Sequence, residues 1–204
     1  MTVDLPLGRG RRRESRNARE SPKGIHKVAG GNAPGKQAPS GLTLKGSHRQ
    51  KSKDMAQTLV CLRVHVVFST KDRRPIITPE VEPELYAYMA GTAKNLDSRC
   101  LAAGGTSNHV HLLISQSKNM ALSRLMEEIK KSSSKWIKTK GTALRTFGWQ
   151  DGYGAFTIGQ SQVEALQHYI AGQKERHKKL TFEQELVTLL NKYRVQYDER
   201  YLWS

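Results

Sequence analysis

The sequence predicts an α+β fold: a ferredoxin-like βαββαβ antiparallel sheet with helices on one face, followed by further helices at the carboxyl end. Three observations predict it. Apolar residues alternate with period two around residues 58–68 and 109–115, and short apolar stretches at 99–103 and 156–158 mark two further strands. Between and after them, apolar residues recur at i, i+3 and i+4, which marks helices with one buried face. The order that results is β-α-β-β-α-β-α-α, and its first six elements fold most simply into one antiparallel sheet.

In the first strand, Thr58, Val60, Leu62, Val64, Val66 and Phe68 share one face, and Leu59, Cys61 and Val67 lie on the other. This is the pattern of a long strand buried on much of both sides. Ser69 to Pro75 is a polar turn carrying Lys71, Arg73 and Arg74. Thr78 as the cap and Pro79 at the first helical position start a helix that runs to about Asn95, with Leu85, Met89 and Ala93 in its stripe. Arg99 to Ala103 and His109 to Ser115 are two strands joined through Gly104-Gly105-Thr106-Ser107-Asn108. A second helix spans about Asn119 to Thr139, with Leu122, Leu125, Ile129 and Trp136 inward. Phe156 to Ile158 is a short strand. A third helix runs from Ser161 to about Lys178, opened by the capping box of Ser161 and Glu164. Thr181 and Gln184 repeat that signature ahead of a final helix bearing Phe182, Leu186, Leu189, Leu190 and Tyr193.

Two unlike segments make up the chain. Residues 1–54 are rich in Gly, Ser, Pro, Lys and Arg and poor in large apolar side chains, so they are expected to form a disordered basic tail. Ordered patterning begins near Met55, so either Met55 is expected to be the natural start or the tail is expected to be dispensable, and residues 55–204 are expected to form the folded domain. The 204-residue chain has a formal net charge of +16. The tail holds 13 of the 34 Lys+Arg and 4 of the 18 Asp+Glu, so the rest still carries +7. A basic domain of this kind favours a polyanionic partner, nucleic acid above all. Arg73, Arg74, Lys130, Lys131 and Lys135 are the candidate phosphate contacts, with a solvated face as the plain alternative. No run of 18 apolar residues suggests a membrane span. Met1 to Arg13 lack the apolar stretch of a signal peptide. Cys61 and Cys100 read as reduced thiols of a cytosolic protein.

Two patterns carry chemistry. His109-Val110-His111 lies on a predicted strand, where alternate side chains share a face about 6.5–7 Å apart. Two neutral imidazoles so placed can share a divalent cation, while Val110, Leu112 and Ile114 enter the core. On the third helix Tyr169, Gln173 and His177 fall at i, i+4 and i+8 beside the apolar stripe of Val163, Leu166 and Ile170. Each pattern alone is also compatible with an ordinary polar surface. Tyr153, in a glycine-rich turn, is the rival to Tyr169 as a reactive tyrosine. Trp149 and Trp203 suit either base stacking or packing. Tyr193, Tyr197 and Tyr201 suit packing near the carboxyl end.

These stretches resemble a known family. Val66-Val-Phe-Ser-Thr-Lys-Asp-Arg73, Asn108-His-Val-His-Leu-Leu113, Phe147-Gly-Trp-Gln-Asp-Gly-Tyr-Gly154, Tyr169-Ile-Ala-Gly-Gln173 and Tyr197-Asp-Glu-Arg-Tyr-Leu-Trp203 are similar to segments of the single-tyrosine HUH transposases of bacterial insertion sequences, the group of insertion sequences 200 and 605. The resemblance covers about residues 57–204. It implies that Tyr169 is the nucleophile, that His109 and His111 are metal ligands and Gln173 the third, and that the metal is Mg²⁺ or Mn²⁺. Asn108 stands where Asp is more usual in the family. His177 has no role in that pattern and is expected at the surface. The implied activity is cutting and rejoining single-stranded DNA, at hairpin ends of the protein's own element, through a 5′-phosphotyrosine. A homodimer in the bacterial cytoplasm is implied as well, and Gly141, Gly148, Gly152, Gly154 and Gly159 offer a flexible link for exchanging the tyrosine helix between subunits. Two other functions fit the same pattern: a non-catalytic protein that binds DNA hairpins, and a metal-dependent nuclease that uses water.

Overall fold

A computed structural model describes residues 57–203. The expected tail at residues 1–54 and the expected start at Met55 lie outside the described residues. The elements follow the order β1 (Arg63–Ser69), α1 (Glu82–Asn95), β2 (Arg99–Gly105), β3 (His109–Ser115), α2 (Leu122–Ile137), β4 (Gly154–Thr157), α3 (Val163–Ala171), α4 (Gln173–Arg176), α5 (Phe182–Lys192) and α6 (Glu199–Leu202). The sheet has the strand order β2-β3-β1-β4 with every neighbour antiparallel. That is the α+β, ferredoxin-like arrangement the alternation predicted.

The two faces of the sheet differ in chemistry. Val66 and Phe68 of β1 and Val110, Leu112 and Ile114 of β3 pack against Leu85, Met89 and Ala93 of α1 and Leu125, Met126 and Ile129 of α2. All of these are buried, and they form the main core. The opposite face carries Val67, Leu113 and three histidines. It is covered by the carboxyl-terminal helices, through Ile170 of α3 and Phe182, Leu189 and Leu190 of α5. The helices expected after the sheet therefore close its second face and shield the imidazoles from water.

Several boundaries differ from the sequence expectation, each for a local reason. β1 begins at Arg63, not near Thr58, because its partner β3 ends at Ser115 opposite Arg63. Beyond that pair only one ladder bond continues, from Gln116 N–H to the Leu62 carbonyl at 3.0 Å. Leu59 and Val60 are left exposed. The first helix starts at Glu82 after a turn in which Val81 N and Glu82 N both donate to the Thr78 carbonyl. The third helix is interrupted at Gly172, which caps α3 and precedes α4. Its expected capping box at Ser161 and Glu164 is replaced by Gln162, whose Oε1 accepts from Gly159 N at 3.2 Å. The capping box of α5 forms as expected: Thr181 Oγ1 accepts from Gln184 N, and Gln184 Oε1 accepts from Thr181 N.

Gly104 lets α3 sit directly on the sheet. A Cβ at Gly104 would lie 2.5 Å from the carbonyl oxygen of Ile170 and 2.9 Å from its Cγ2. No other residue permits that approach, and Tyr169 is the neighbour of Ile170.

Candidate active site

His109 and His111 project from one face of β3 as predicted, opposite Ser69 and Val67 of β1. Both imidazoles are fully buried. His109 Nδ1 lies 2.8 Å from Asn108 Oδ1 and 2.9 Å from Thr106 Oγ1. An amide oxygen only accepts, so the ring proton of neutral His109 sits on Nδ1 and Nε2 is a bare lone pair. Asn108 thus supplies the acceptor that an Asp would. His111 Nδ1 faces His65 Nε2 at 2.9 Å, with the two rings stacked at 5.2 Å between centroids. Burial first, then the neighbouring His111, pulls the pKa of His65 and of His109 down to about 3. Burial lowers that of His111 as well. All three rings are therefore neutral at physiological pH, the state a metal ligand requires.

The groups converge on Glu185 of α5, whose side chain is 2% exposed. Oε2 of Glu185 lies 2.9 Å from His177 Nε2, 3.2 Å from His111 Nε2 and 3.7 Å from His109 Nε2. Oε1 accepts from Gln173 Nε2 at 3.0 Å and from the Tyr169 hydroxyl. Burial alone would raise the carboxyl pKa, but the hydrogen bonds that His111, Tyr169 and Gln173 make to the carboxylate outweigh it, so Glu185 stays ionised. Tyr169 moves the other way: burial and then the Glu185 carboxylate raise its pKa above the ordinary phenol value. Arg176 lies over the Tyr169 ring, its Cζ 4.4 Å from the centroid.

The donors of His109, His111, His177 and Glu185 all lie within 4.8 Å of one another. Two buried polar atoms here lack a hydrogen-bond partner, His109 Nε2 and Gln173 Oε1. A divalent cation would satisfy both, so the residues fit a metal. The structure thus brings together Tyr169, Gln173, His109 and His111, all on one chain. His177, expected at the surface, has a side chain only 10% exposed and pairs with Glu185. Sequence reasoning missed Glu185 and His65. Glu185 occupies the buried stripe of α5, three residues after Phe182 and four before Leu189, and an acid in an apolar stripe is the signal that could have found it.

The other predicted residues lie elsewhere. Lys130 Nζ is taken up by the carbonyls of Gln150 at 2.6 Å and Gly152 at 2.7 Å. Arg73 pairs with Glu183 at 2.9 Å and donates to the Trp203 carbonyl. Arg74, Lys131 and Lys135 are exposed. Tyr153 lines two surface hollows that include none of the histidines. Trp149 is a packing residue: its Nε1 donates to Ser133 Oγ at 3.0 Å, and its ring meets Phe68 and Phe147 edge-on.

Fold and site together define a class: a small ferredoxin-like domain whose central strand presents an H-x-H pair to a tyrosine on a covering helix. The sequence pattern of the family described as Transposase IS200 like matches residues 58–173, more than half of the chain. The chain belongs to the IS200-like transposase family. Similar solved structures include a candidate transposase from Deinococcus radiodurans R1, 20% identical with a TM-score of 0.46, covering 57% of this chain and 93% of that one. Another is a REP-associated tyrosine transposase bound to a REP hairpin, 13% identical with a TM-score of 0.47, covering 61% of this chain and 73% of that one. The chain matches no curated protein. Among the described residues no helix is long and apolar enough to cross a membrane.

Proposed function

We propose that this transposase cuts and rejoins single-stranded DNA through a covalent 5′-phosphotyrosine on Tyr169, with a divalent cation held by His109, His111 and Gln173. The observation that carries the reading is that the Tyr169 hydroxyl and the H-x-H imidazoles meet on the two oxygens of one carboxylate, Glu185.

The chemistry asks three things of the site. The phenol must lose its proton, and its hydrogen already points to Glu185 Oε1. The phosphodiester must tolerate an anionic nucleophile; a cation bound at the imidazoles supplies Lewis-acid polarisation of the scissile phosphate. The displaced strand must leave: the Tyr169 oxygen bonds to phosphorus, the bond from phosphorus to the 3′ oxygen breaks, and that oxygen gains a proton as a free 3′ hydroxyl. Because the phosphotyrosine conserves the phosphodiester, attack by another 3′ hydroxyl reverses the step and joins strands with no external energy source. The guanidinium of Arg176 beside the tyrosine ring is placed to hold phosphate charge there.

DNA hairpins at the ends of the element are the proposed substrate, read by a homodimer. Since Tyr169 reaches the carboxylate of its own chain, each subunit's own tyrosine serves its site in this reading, without exchange of helices. The test is incubation with single-stranded DNA carrying the element's ends and Mg²⁺ or Mn²⁺, followed by a denaturing protein gel. A protein–DNA adduct is expected from the wild type and none from Tyr169→Phe. Cleavage that persists without an adduct would identify a nuclease that uses water. Binding without cleavage would identify a hairpin-binding protein.

A further inference from the structure

We propose that Glu185 and His177 are themselves metal ligands, so that with His109, His111 and the Gln173 amide oxygen they form a site whose three imidazoles and one carboxylate select a transition-series divalent cation over Mg²⁺. The proposal rests on the metal site of the preceding reading and extends it to two residues that lie beyond the matched stretch of residues 58–173.

The first argument is geometric. Donors about 2.1 Å from a shared ion lie about 3.0 Å apart when they subtend a right angle and about 3.4 Å apart at the tetrahedral angle. The three Nε2 atoms stand 2.9, 3.2 and 3.7 Å from Glu185 Oε2, close to those lengths, and all four donors lie within 4.8 Å of one another. The second is electrostatic. His109 directs a bare lone pair at a carboxylate oxygen, because its only proton is committed at Nδ1 to Asn108 and Thr106. Two lone pairs facing each other in a dry interior repel, and Nε2 has no hydrogen-bond partner. A cation between them turns the repulsion into two bonds. The third concerns charge. Among the described residues the basic groups within 4.0 Å of the Glu185 carboxylate are the imidazoles of His109, His111 and His177, and no Lys or Arg forms an ion pair with it. A carboxylate buried without a permanent cation is costly.

The donor set also states a preference. Mg²⁺ favours oxygen ligands and retains several waters. Imidazole suits transition ions, which bind nitrogen-rich sites in the order Mn²⁺ < Fe²⁺ < Co²⁺. Three imidazoles around one carboxylate therefore favour Mn²⁺ and its heavier neighbours.

Metal binding without DNA tests this. The full chain, stripped with EDTA, is titrated with MnCl₂ and with MgCl₂ in a calorimeter, as wild type, Glu185→Gln, His177→Asn and His109→Ala, with circular dichroism as the check on folding. One Mn²⁺ per chain is expected, about tenfold or more tighter than Mg²⁺, and both Glu185→Gln and His177→Asn are expected to weaken Mn²⁺ by about tenfold or more. His177 sits at the edge of the cluster, so its variant keeps the fold even if the Glu185 variant does not. Pulsed electron paramagnetic resonance of the Mn²⁺-loaded wild type is expected to report three coupled imidazoles. Two imidazoles, unchanged Mn²⁺ affinity in His177→Asn and a folded Glu185→Gln, or equal affinity for the two ions would each overturn the proposal. If His109→Ala alone lost the metal, the histidine-pair reading would stand while this one fell. Failure of that earlier reading shows separately, as absence of the Tyr169 adduct.

Discussion

Nε2 of His65 lies 2.9 Å from Nδ1 of His111, across the pair of central strands. One proton lies between the two nitrogens, so the tautomer of each ring is tied to that of the other. His65 thereby fixes which nitrogen of His111 is presented to Glu185, and its stacked ring holds the imidazole in plane. His65→Phe keeps the ring and removes the hydrogen bond. It is expected to lower divalent-metal affinity by about 10–100-fold, as partners of metal-bound histidines generally do, while the circular dichroism spectrum is retained. An affinity equal to wild type would show that His65 only fills space.

Gly104→Ala tests how the tyrosine helix is seated. The added methyl would sit 2.5 Å from a backbone oxygen, which cannot rotate away, so α3 must lift from β2. Destabilisation of about 1–3 kcal/mol is expected from the overpacking. Because reacting groups must be held to within about 1 Å, adduct formation is expected to fall by about 100-fold, well beyond what partial unfolding would account for. Urea titration and the single-stranded DNA adduct assay together check this. Loss of stability with a normal adduct yield would mean that α3 adjusts without moving Tyr169.

Most of the frame was legible in the sequence, and the reason is periodicity. Val66, Phe68, Val110, Leu112 and Ile114 alternate cleanly because each faces one apolar layer. Even the H-x-H pair could be placed on a face by its spacing alone. What escaped were relations between distant segments. Glu185 stands 74 residues from His111, and no local pattern says that an acid in the stripe of α5 meets an imidazole of β3. The end of β1 at Arg63 was hidden for the same reason, since the apolar run continues to Thr58 and only the length of β3 stops the ladder. Lys130 looked like a phosphate contact because its sequence neighbours are lysines, whereas its partners are two carbonyls some 20 residues away.

Acid should destabilise the metal-free protein. The folded-state pKa of His65 and of His109 is about 3, against 6.5 in the unfolded chain, because burial disfavours the charged ring. Below pH 6.5 the unfolded state therefore binds more protons than the folded one. Stability is lost as pH falls from 6.5 toward 3, by up to about 1.4 kcal/mol per pH unit for each histidine. Glu185 acts in the same direction below its unfolded value of 4.5, since its folded pKa is lowered. In EDTA the thermal midpoint is expected to drop between pH 7.5 and 5.5, and His65→Phe, which removes one such ring, should flatten the slope. A midpoint that stays level over that range would show that neither ring is held neutral.

Lys130 and its neighbours Lys131 and Lys135 are expected to separate in their effects, although they share one helix. Nζ of Lys130 donates to the carbonyls of Gln150 and Gly152, and burial lowers its pKa. Its charge-assisted bonds pin the glycine-rich turn to α2. Lys130→Met keeps the aliphatic stem and removes both charge-assisted bonds, so a loss of about 1–3 kcal/mol in stability is expected. Lys131 and Lys135 are exposed. If single-stranded DNA crosses this face, Lys131→Gln and Lys135→Gln should each leave urea stability unchanged. Each should also reduce the slope of log affinity against log salt by about 0.7, the value for one phosphate contact on a single strand. Filter binding at several salt concentrations measures that slope. An unaltered slope in both glutamine variants would place the DNA path on another face, and an unaltered urea midpoint in Lys130→Met would return Lys130 to the pool of phosphate contacts.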